Sequence, residues 1–154
     1  MKRLLFILMA TAFFAGCSKE ASEETGFPEE VKEILSIIDG STFVAEEQSL
    51  GVLIRTDHLT FSVFDAPIEK VCGSFGFEDE YKLKYGTVHR TEENAIGGTT
   101  EADYYFYIDP LWDDLVFCEY NFEEGYSTGV RETYDFRVID GNSIVLDKLT
   151  YTRE

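Results

Sequence analysis

The feature that most constrains the fold is an alternation of polar and apolar residues that begins after Gly40. Residues 58–64 alternate without interruption, and residues 102–108 place one apolar set on a single face. The other runs with this period are 81–85, 116–122 and 134–138. A period of two is typical of β-strands with one buried face. The body of the chain is therefore predicted to be mostly strand.

Short segments rich in Gly, Pro, Asp and Asn separate these runs and predict turns. They are Ser49–Gly51, Thr56–Asp57, Asp65–Pro67, Gly97–Gly98, Asp109–Pro110, Glu124–Gly125 and Asp140–Asn142. Because no connection contains a crossover helix, neighbouring strands are expected to be antiparallel. The pattern predicts a small up-and-down barrel of eight or nine strands, whose closure removes exposed edges. A two-sheet β-sandwich is the alternative.

The last two strands are expected to form a hairpin through the turn at Asp140–Asn142. Beyond it, the apolar positions change parity between Leu146 and Leu149. Because one extra residue restores the buried face, a β-bulge is predicted near Asp147 and Lys148.

One segment, Pro28–Asp39, has the helical period instead. Its apolar residues recur at i, i+3, i+4 and i+7. They are Val31, Ile34, Leu35 and Ile38. Pro28 suits a first helical turn, and Gly40 suits the C-terminal stop. A single helix-plus-barrel domain is therefore predicted over residues 28–154.

The N-terminus has the order of a targeting segment. Lys2 and Arg3 precede an apolar run from Leu4 to Ala15. As a helix this run would reach about 18 Å, which is short of a bilayer core of about 30 Å. Residues 1–16 are therefore predicted to be a secretory signal peptide.

The next residues, Ala15-Gly16-Cys17, resemble the lipobox of bacterial lipoproteins, although Phe14 stands where Leu is usual. The resemblance implies cleavage before Cys17 and acylation of that residue, including palmitate. Two or more acyl chains anchor a protein stably to a membrane. An ordinary signal peptide with an incidental Cys17 is the alternative.

Residues 17–27 are small, polar and charged, and are predicted to be a flexible acylated tether. Ser18 directly after Cys17 resembles an outer-membrane sorting choice. The expected location is the cell envelope, on the periplasmic or the cell-surface face of the outer membrane.

The formal net charge of −17 limits the partners of the chain. A nucleic-acid surface needs clustered Lys and Arg, so DNA and RNA are excluded as partners. Anionic lipid headgroups would also repel this chain. Membrane attachment is therefore assigned to the lipid on Cys17.

Three further segments resemble parts of lipocalin-like domains. Residues 38–45 are similar to their opening strand, with Phe43 where Trp is usual, and Leu59–Phe61 is similar to their second or third strand. Residues 139–153 resemble their closing hairpin. The resemblance implies a small up-and-down barrel, often with an apolar interior.

Cys72 and Cys118 remain after lipidation of Cys17. In an exported protein an even pair favours a disulfide, and this one would contribute about 4 kcal/mol in the chain-entropy model. Two buried thiols are the alternative.

Motifs for catalysis or cofactor binding are absent from the sequence. His58 and His89 have no metal-ligand spacing, and no nucleophile elbow or phosphate loop occurs. The carboxylates of Asp109–Asp114 lack the alternating spacing of a calcium loop, so they are interpreted as solubilising. No enzyme activity, metal or cofactor is predicted.

Three aromatic residues form a candidate surface patch. Tyr105 and Tyr107 fall on the face opposite Tyr104 and Phe106, and Trp112 follows nearby. An exposed aromatic patch is typical of a site for a sugar ring or a partner protein. Cross-strand pairing on an exposed face is the alternative.

Two functions are consistent with these features. The first is a non-enzymatic, membrane-anchored lipoprotein whose barrel binds a small apolar ligand. The alternative is a structural or protein-interaction lipoprotein whose barrel is filled by its own side chains. The oligomeric state is not indicated by the sequence.

Overall fold

The chain forms one short helix and eight antiparallel strands in a computed structural model that describes residues 26–70 and 82–154. The elements are α1 (Glu29–Ile38), β1 (Thr42–Ser49), β2 (Val52–Ile68), β3 (Lys84–Asn94), β4 (Thr99–Asp109), β5 (Asp114–Asn121), β6 (Tyr126–Asp140), β7 (Ser143–Leu146) and β8 (Leu149–Arg153).

Each strand pairs with the next one along the chain, and the first strand pairs with the last. Phe43 of β1 lies opposite Arg153 of β8, and Val44 lies opposite Thr152. These pairs close the sheet into a barrel. The predicted antiparallel up-and-down barrel is thus confirmed, and the sandwich alternative is not observed.

Helix α1 covers one end of the barrel, as its amphipathic pattern predicts. It ends at Ile38, and Gly40 has a φ of 63°, which a residue with a side chain rarely adopts. The Gly40 amide then donates to the carbonyl of Phe61 at 3.1 Å, and the Arg153 guanidinium donates to the carbonyl of Ile37. Within the described residues, no helix combines the length and apolar character that a membrane crossing requires.

Aromatic rings occupy the helix-covered half of the barrel interior. The ring of Phe61 lies 5.4 Å from that of Phe106, and 6.2 Å from those of Phe43 and Phe117. All four residues are buried, as is Phe136 beside them. Such offset and edge-on contacts are the favourable arrangements for aromatic pairs. The interior at this level is therefore packed with side chains.

Two turn predictions are wrong because both segments lie inside β2. Thr56 and Asp57 pair with Glu46 and Ala45 of β1, and Asp65–Pro67 continues the same strand. Asp57 is tolerated there because a cation neutralises it, as described below.

The bulge predicted at Asp147 and Lys148 is also wrong, because these two residues form the turn of a hairpin. Leu146 and Leu149 pair directly across it, and Asp147 adopts a φ of 53°. A two-residue turn reverses the strand, which accounts for the change of parity. The hairpin turn predicted at Asp140–Asn142 is confirmed, since Asp140 pairs with Ser143.

The alternation predicted for residues 81–85 does not hold at its centre. Lys84 is fully buried whereas Leu83 is 42% exposed. The Lys84 ammonium donates to the carbonyl of Lys82 at 2.8 Å and lies 5.1 Å from the ring of Tyr107. Pairing of β3 begins at Lys84, and Tyr81 lies outside the described residues.

A substitution at Gly86 tests how tightly the phenylalanine rings of the barrel interior are packed. A Cβ at this position would lie 2.7 Å from Phe106 Cε1 and closer still to the carbonyl oxygen of Ser62. We expect Gly86→Ala to lower the free energy of unfolding by about 1–3 kcal/mol, the usual cost of overpacking. Urea denaturation followed by circular dichroism measures this change.

Gly141→Ala is the matched control, because nothing lies within 4 Å of a Cβ built there. We expect its effect to stay within about 0.5 kcal/mol. Equal stabilities for the two variants would contradict the packing described here.

Candidate functional site

Charged side chains face inward in the half of the barrel away from α1. At their centre, Arg90 of β3 forms a two-pronged contact with Asp57 of β2. Its Nε lies 3.0 Å from Asp57 Oδ1, and its Nη2 lies 2.7 Å from Oδ2. Asp57 is only 1% exposed, and a buried carboxylate requires such a partner.

The remaining donors of Arg90 reach two other carboxylates and a phenol. Its Nη1 donates to Glu132 Oε2 at 2.8 Å and to the Tyr134 hydroxyl at 2.9 Å. Its Nη2 also lies 2.7 Å from Glu92 Oε1. All three nitrogens of the guanidinium, which carry five N–H groups, thus have a carboxylate or phenol partner within the chain. We call Arg90, Asp57, Glu92, Glu132 and Tyr134 the Arg90 network.

Burial alone would lower the pKa of Arg90. The hydrogen bond and charge of Asp57 outweigh this effect, and the charges of Tyr134 and Glu92 also raise the pKa. The pKa of Arg90 is therefore raised above its usual range. Arg90 therefore remains charged at every accessible pH.

Two further tyrosines extend the network towards other strands. The Tyr151 hydroxyl of β8 donates to Asp57 Oδ2 at 2.6 Å, and the Tyr104 hydroxyl of β4 donates to Glu132 Oε1 at 2.9 Å. Burial raises the pKa of both phenols, and the neighbouring carboxylates raise it further. For Tyr134, burial and then its hydrogen bond to Glu132 raise the pKa, while Arg90 opposes them.

A second arginine, Arg55, extends the Arg90 network to strand β1. Arg55 Nη1 donates to Glu92 Oε1 at 2.6 Å, and its Nη2 lies 2.8 Å from Glu47 Oε2. Through Glu92 the two arginines share one carboxylate. The contacts therefore link strands β1, β2, β3, β4, β6 and β8 across the barrel.

Sequence reasoning missed this network because its members are distant in the chain. Asp57 and Tyr151, for example, are separated by 94 residues. One local signal was present: Asp57 shares the parity of Leu59 and Phe61, both of which are buried inside the barrel. That parity places a carboxylate on the inner face, and such a group needs a cation.

A cavity of about 380 Å³ opens above the network, beside the short β7–β8 hairpin. The turn residues Asp147 and Lys148 form one wall, and Glu47 and Arg55 contribute to the opposite wall. Arg90 also lines the cavity, as do Leu146 and Leu149. The cavity walls therefore combine charged and apolar side chains.

The candidate aromatic patch is wrong as an exposed surface. Tyr105 and Tyr107 do lie on the outer face, but they are only 8% and 5% exposed. The register of β2 against β3 shifts between Val63 and Ile68. Phe64 lies in this irregular stretch, 6.2 Å from the Tyr105 ring, and Lys70 lies 4.6 Å above the Tyr120 ring. Only Trp112 of the patch is exposed, at 75%.

Strand β5 is consequently buried on both faces. Leu115 and Phe117 face the interior, whereas Val116 and Cys118 are covered on the outside. Cys118 lies directly opposite Tyr105. Cys17 and Cys72 lie outside the described residues, so lipidation and the disulfide stay predictions.

Histidine and carboxylate side chains do not converge into a metal site in residues 26–70 and 82–154. His89 lies on the outer face, where its Nδ1 is 2.8 Å from Asp103 Oδ1 and its Nε2 is 3.4 Å from Thr91 Oγ1. The His89 and Asp103 side chains are half-exposed on a continuous sheet.

Comparisons with protein-family models, curated proteins and solved structures find no match for this chain.

The buried phenols predict a biphasic alkaline titration. A raised pKa means that the fold favours the neutral phenol. The stability that these phenols contribute is therefore constant below about pH 10, where unfolded tyrosine titrates, and falls as the pH rises further. Tyr85, Tyr104, Tyr134 and Tyr151 all have raised pKa values. We expect these four of the nine tyrosines to stay protonated until the chain unfolds.

Phenolate absorbance, recorded together with circular dichroism, measures this. Tyr151→Phe should remove one phenol from the late-titrating class. Ionisation of all nine tyrosines near the ordinary pKa in a still-folded protein would contradict the buried network.

Proposed function

We propose that the chain is an exported, lipid-anchored lipoprotein that acts through its outer surface, with a barrel filled by its own side chains. It carries no catalytic chemistry in this proposal. Acyl chains on Cys17 attach it to the envelope, and residues 17–27 separate the barrel from the membrane. A disulfide between Cys72 and Cys118 is part of the same proposal.

The observation that carries the proposal is the occupied barrel interior. Phenylalanine rings fill the half beneath α1, and the Arg90 network crosses the other half. A small apolar ligand would need to displace rings from favourable contacts or to sit against paired charges. Both are costly, because cores are close-packed and unpaired buried charges are strongly unfavourable.

The N-terminal sequence supports the anchoring part of the proposal. A charged start, a short apolar run, small residues and Cys17 follow one another in the order that export and acylation require. The net charge of −17 disfavours any electrostatic attachment to anionic headgroups. A covalent lipid therefore supplies the attachment.

Ligand binding in the cavity above the Arg90 network is the second candidate function. The cavity of about 380 Å³ has the size of a small-molecule pocket, for which about 300–1,000 Å³ is usual. Its walls combine Glu47, Arg55, Asp147 and Lys148 with Leu146 and Leu149, so a ligand there would carry both charged and apolar groups.

Native mass spectrometry separates the two functions. The full chain with Cys17→Ser, exported and purified from the soluble envelope fraction, is measured under native and denaturing conditions. We expect the same mass in both, lower by two hydrogens than the reduced polypeptide if the disulfide forms. A stoichiometric adduct seen only under native conditions would contradict the filled-barrel function and favour the second candidate.

Cell fractionation tests the anchor. We expect Cys17→Ser to move the protein from the membrane fraction to the soluble envelope fraction, because the acyl chains are lost. Ser22→Ala, in the same tether, should remain with the membrane. Persistence of the Cys17→Ser protein in the membrane fraction would contradict lipidation at this residue.

A further inference from the structure

A groove of about 690 Å³ separates α1 from the end of β6. Its apolar floor consists of Ile34 and Ile37 from the helix, together with Val138 and Ile139 from the strand. The first three are half-buried, and Ile139 is 59% exposed. We call this feature the α1–β6 groove.

The strand side of the groove carries an unpaired backbone edge. The last pair between β5 and β6 is Asp114 with Asp135, and β6 continues to Asp140. The Phe136 amide donates to the carbonyl of Asp113 at 2.8 Å, so Phe136 directs its backbone groups to this side. Because backbone groups alternate along a strand, those of Val138 face the same side. In the described part of the chain, no strand pairs with this edge beyond Asp135.

The rim of the groove is acidic. Glu30 and Glu33 line the helix side, and Asp113 and Asp140 line the strand side, with Arg137 as the cation among the lining residues. None of these four carboxylates forms an ion pair within residues 26–70 and 82–154. The groove therefore presents an excess of negative charge around an apolar floor.

This charge identifies the kind of occupant. A second copy of the chain would place two acidic rims together, and each copy has a net charge of −17. The chain's own tether carries Glu20, Glu23 and Glu24, which the rim would also repel. A basic segment, in contrast, gains from complementary charge.

We propose that the α1–β6 groove binds an extended segment of a partner protein, in which apolar side chains alternate with lysine or arginine. The segment pairs with the backbone of β6 beside Val138, in the mode of β-strand addition. Its apolar side chains contact Ile34 and Ile37, and its cations face Glu30 and Glu33. This proposal rests on the outer-surface function proposed above and specifies its partner.

Fluorescence anisotropy with synthetic peptides tests the proposal on the full Cys17→Ser chain. The probe is a labelled seven-residue peptide that alternates lysine with valine. We expect saturable binding that weakens as salt is added, because the rim charges are screened. A peptide with glutamate in place of lysine should not bind. A peptide N-methylated on the edge that pairs with β6 should bind at least about tenfold more weakly, because it lacks the backbone donors.

Matched variants locate the binding. Glu30→Gln with Glu33→Gln should weaken binding by about threefold to tenfold, as expected for loss of two exposed charges. Glu93→Gln with Glu101→Gln removes two exposed carboxylates from the outer face of β3 and β4 and should leave the affinity unchanged. Circular dichroism verifies that both double variants are folded.

Absence of binding at low salt, equal losses in the two double variants, or full affinity of the N-methylated peptide would each overturn the proposal. Dimerisation in sedimentation that is lost with the Glu30 and Glu33 substitutions would overturn it in favour of a second copy. Failure of the peptide to bind would contradict the groove proposal alone, because the filled-barrel function is tested by native mass spectrometry. The two proposals can therefore fail separately.

Discussion

The pairing of Arg90 with Asp57 is the interaction on which the half of the barrel away from α1 depends. A carboxylate on the inner face of β2 would be strongly unfavourable without a cation, and the guanidinium offers the planar donor pair that a carboxylate accepts best. Once Arg90 is fixed there, its other donors position Glu92, Glu132 and Tyr134. The open end is thus held by directed contacts between strands, whereas the end beneath α1 is held by packed rings.

Much of the fold could be predicted from the sequence, because local patterns determine it. The alternation after Gly40 predicted antiparallel strands, and the spacing of Val31, Leu35 and Ile38 predicted α1 and its buried face. The parity change after Leu146 was recognised, but a two-residue hairpin turn produces it and not a bulge. Both devices change which residues face inward, so parity by itself does not distinguish them.

The candidate site was less predictable, because long-range pairing creates it. A Thr-Asp pair is a usual turn signal, and only the contact between Asp57 and Arg90 makes it acceptable inside a strand. The outer aromatic patch was wrong for a similar reason. Tyr105 is covered by Phe64, which lies where the register of β2 against β3 shifts between Val63 and Ile68. Such coverage depends on an irregularity in strand pairing, which alternation does not encode.

In our proposal, recognition takes place at the α1–β6 groove. The barrel interior has rings at one end and paired charges at the other, while the groove combines an apolar floor, a strand edge and carboxylates without an ion pair. Closure of a barrel removes most strand edges. The edge at Arg137–Asp140 remains unpaired because β6 extends beyond its last pair with β5. The same acidity that disfavours nucleic acids and anionic lipids therefore favours basic protein segments.

A double-mutant cycle on Arg90 and Asp57 tests the central claim, that the network is structural, most directly. We expect Arg90→Met and Asp57→Leu each to lower the free energy of unfolding by about 3–5 kcal/mol, because the first leaves Asp57 without its cation and the second leaves Arg90 without its two-pronged acceptor. The double variant should lose less than the sum, since the two groups of this pair are then removed together. Additive effects, or an Arg90→Met protein as stable as the wild type, would contradict the account and indicate a group held ready for a ligand instead.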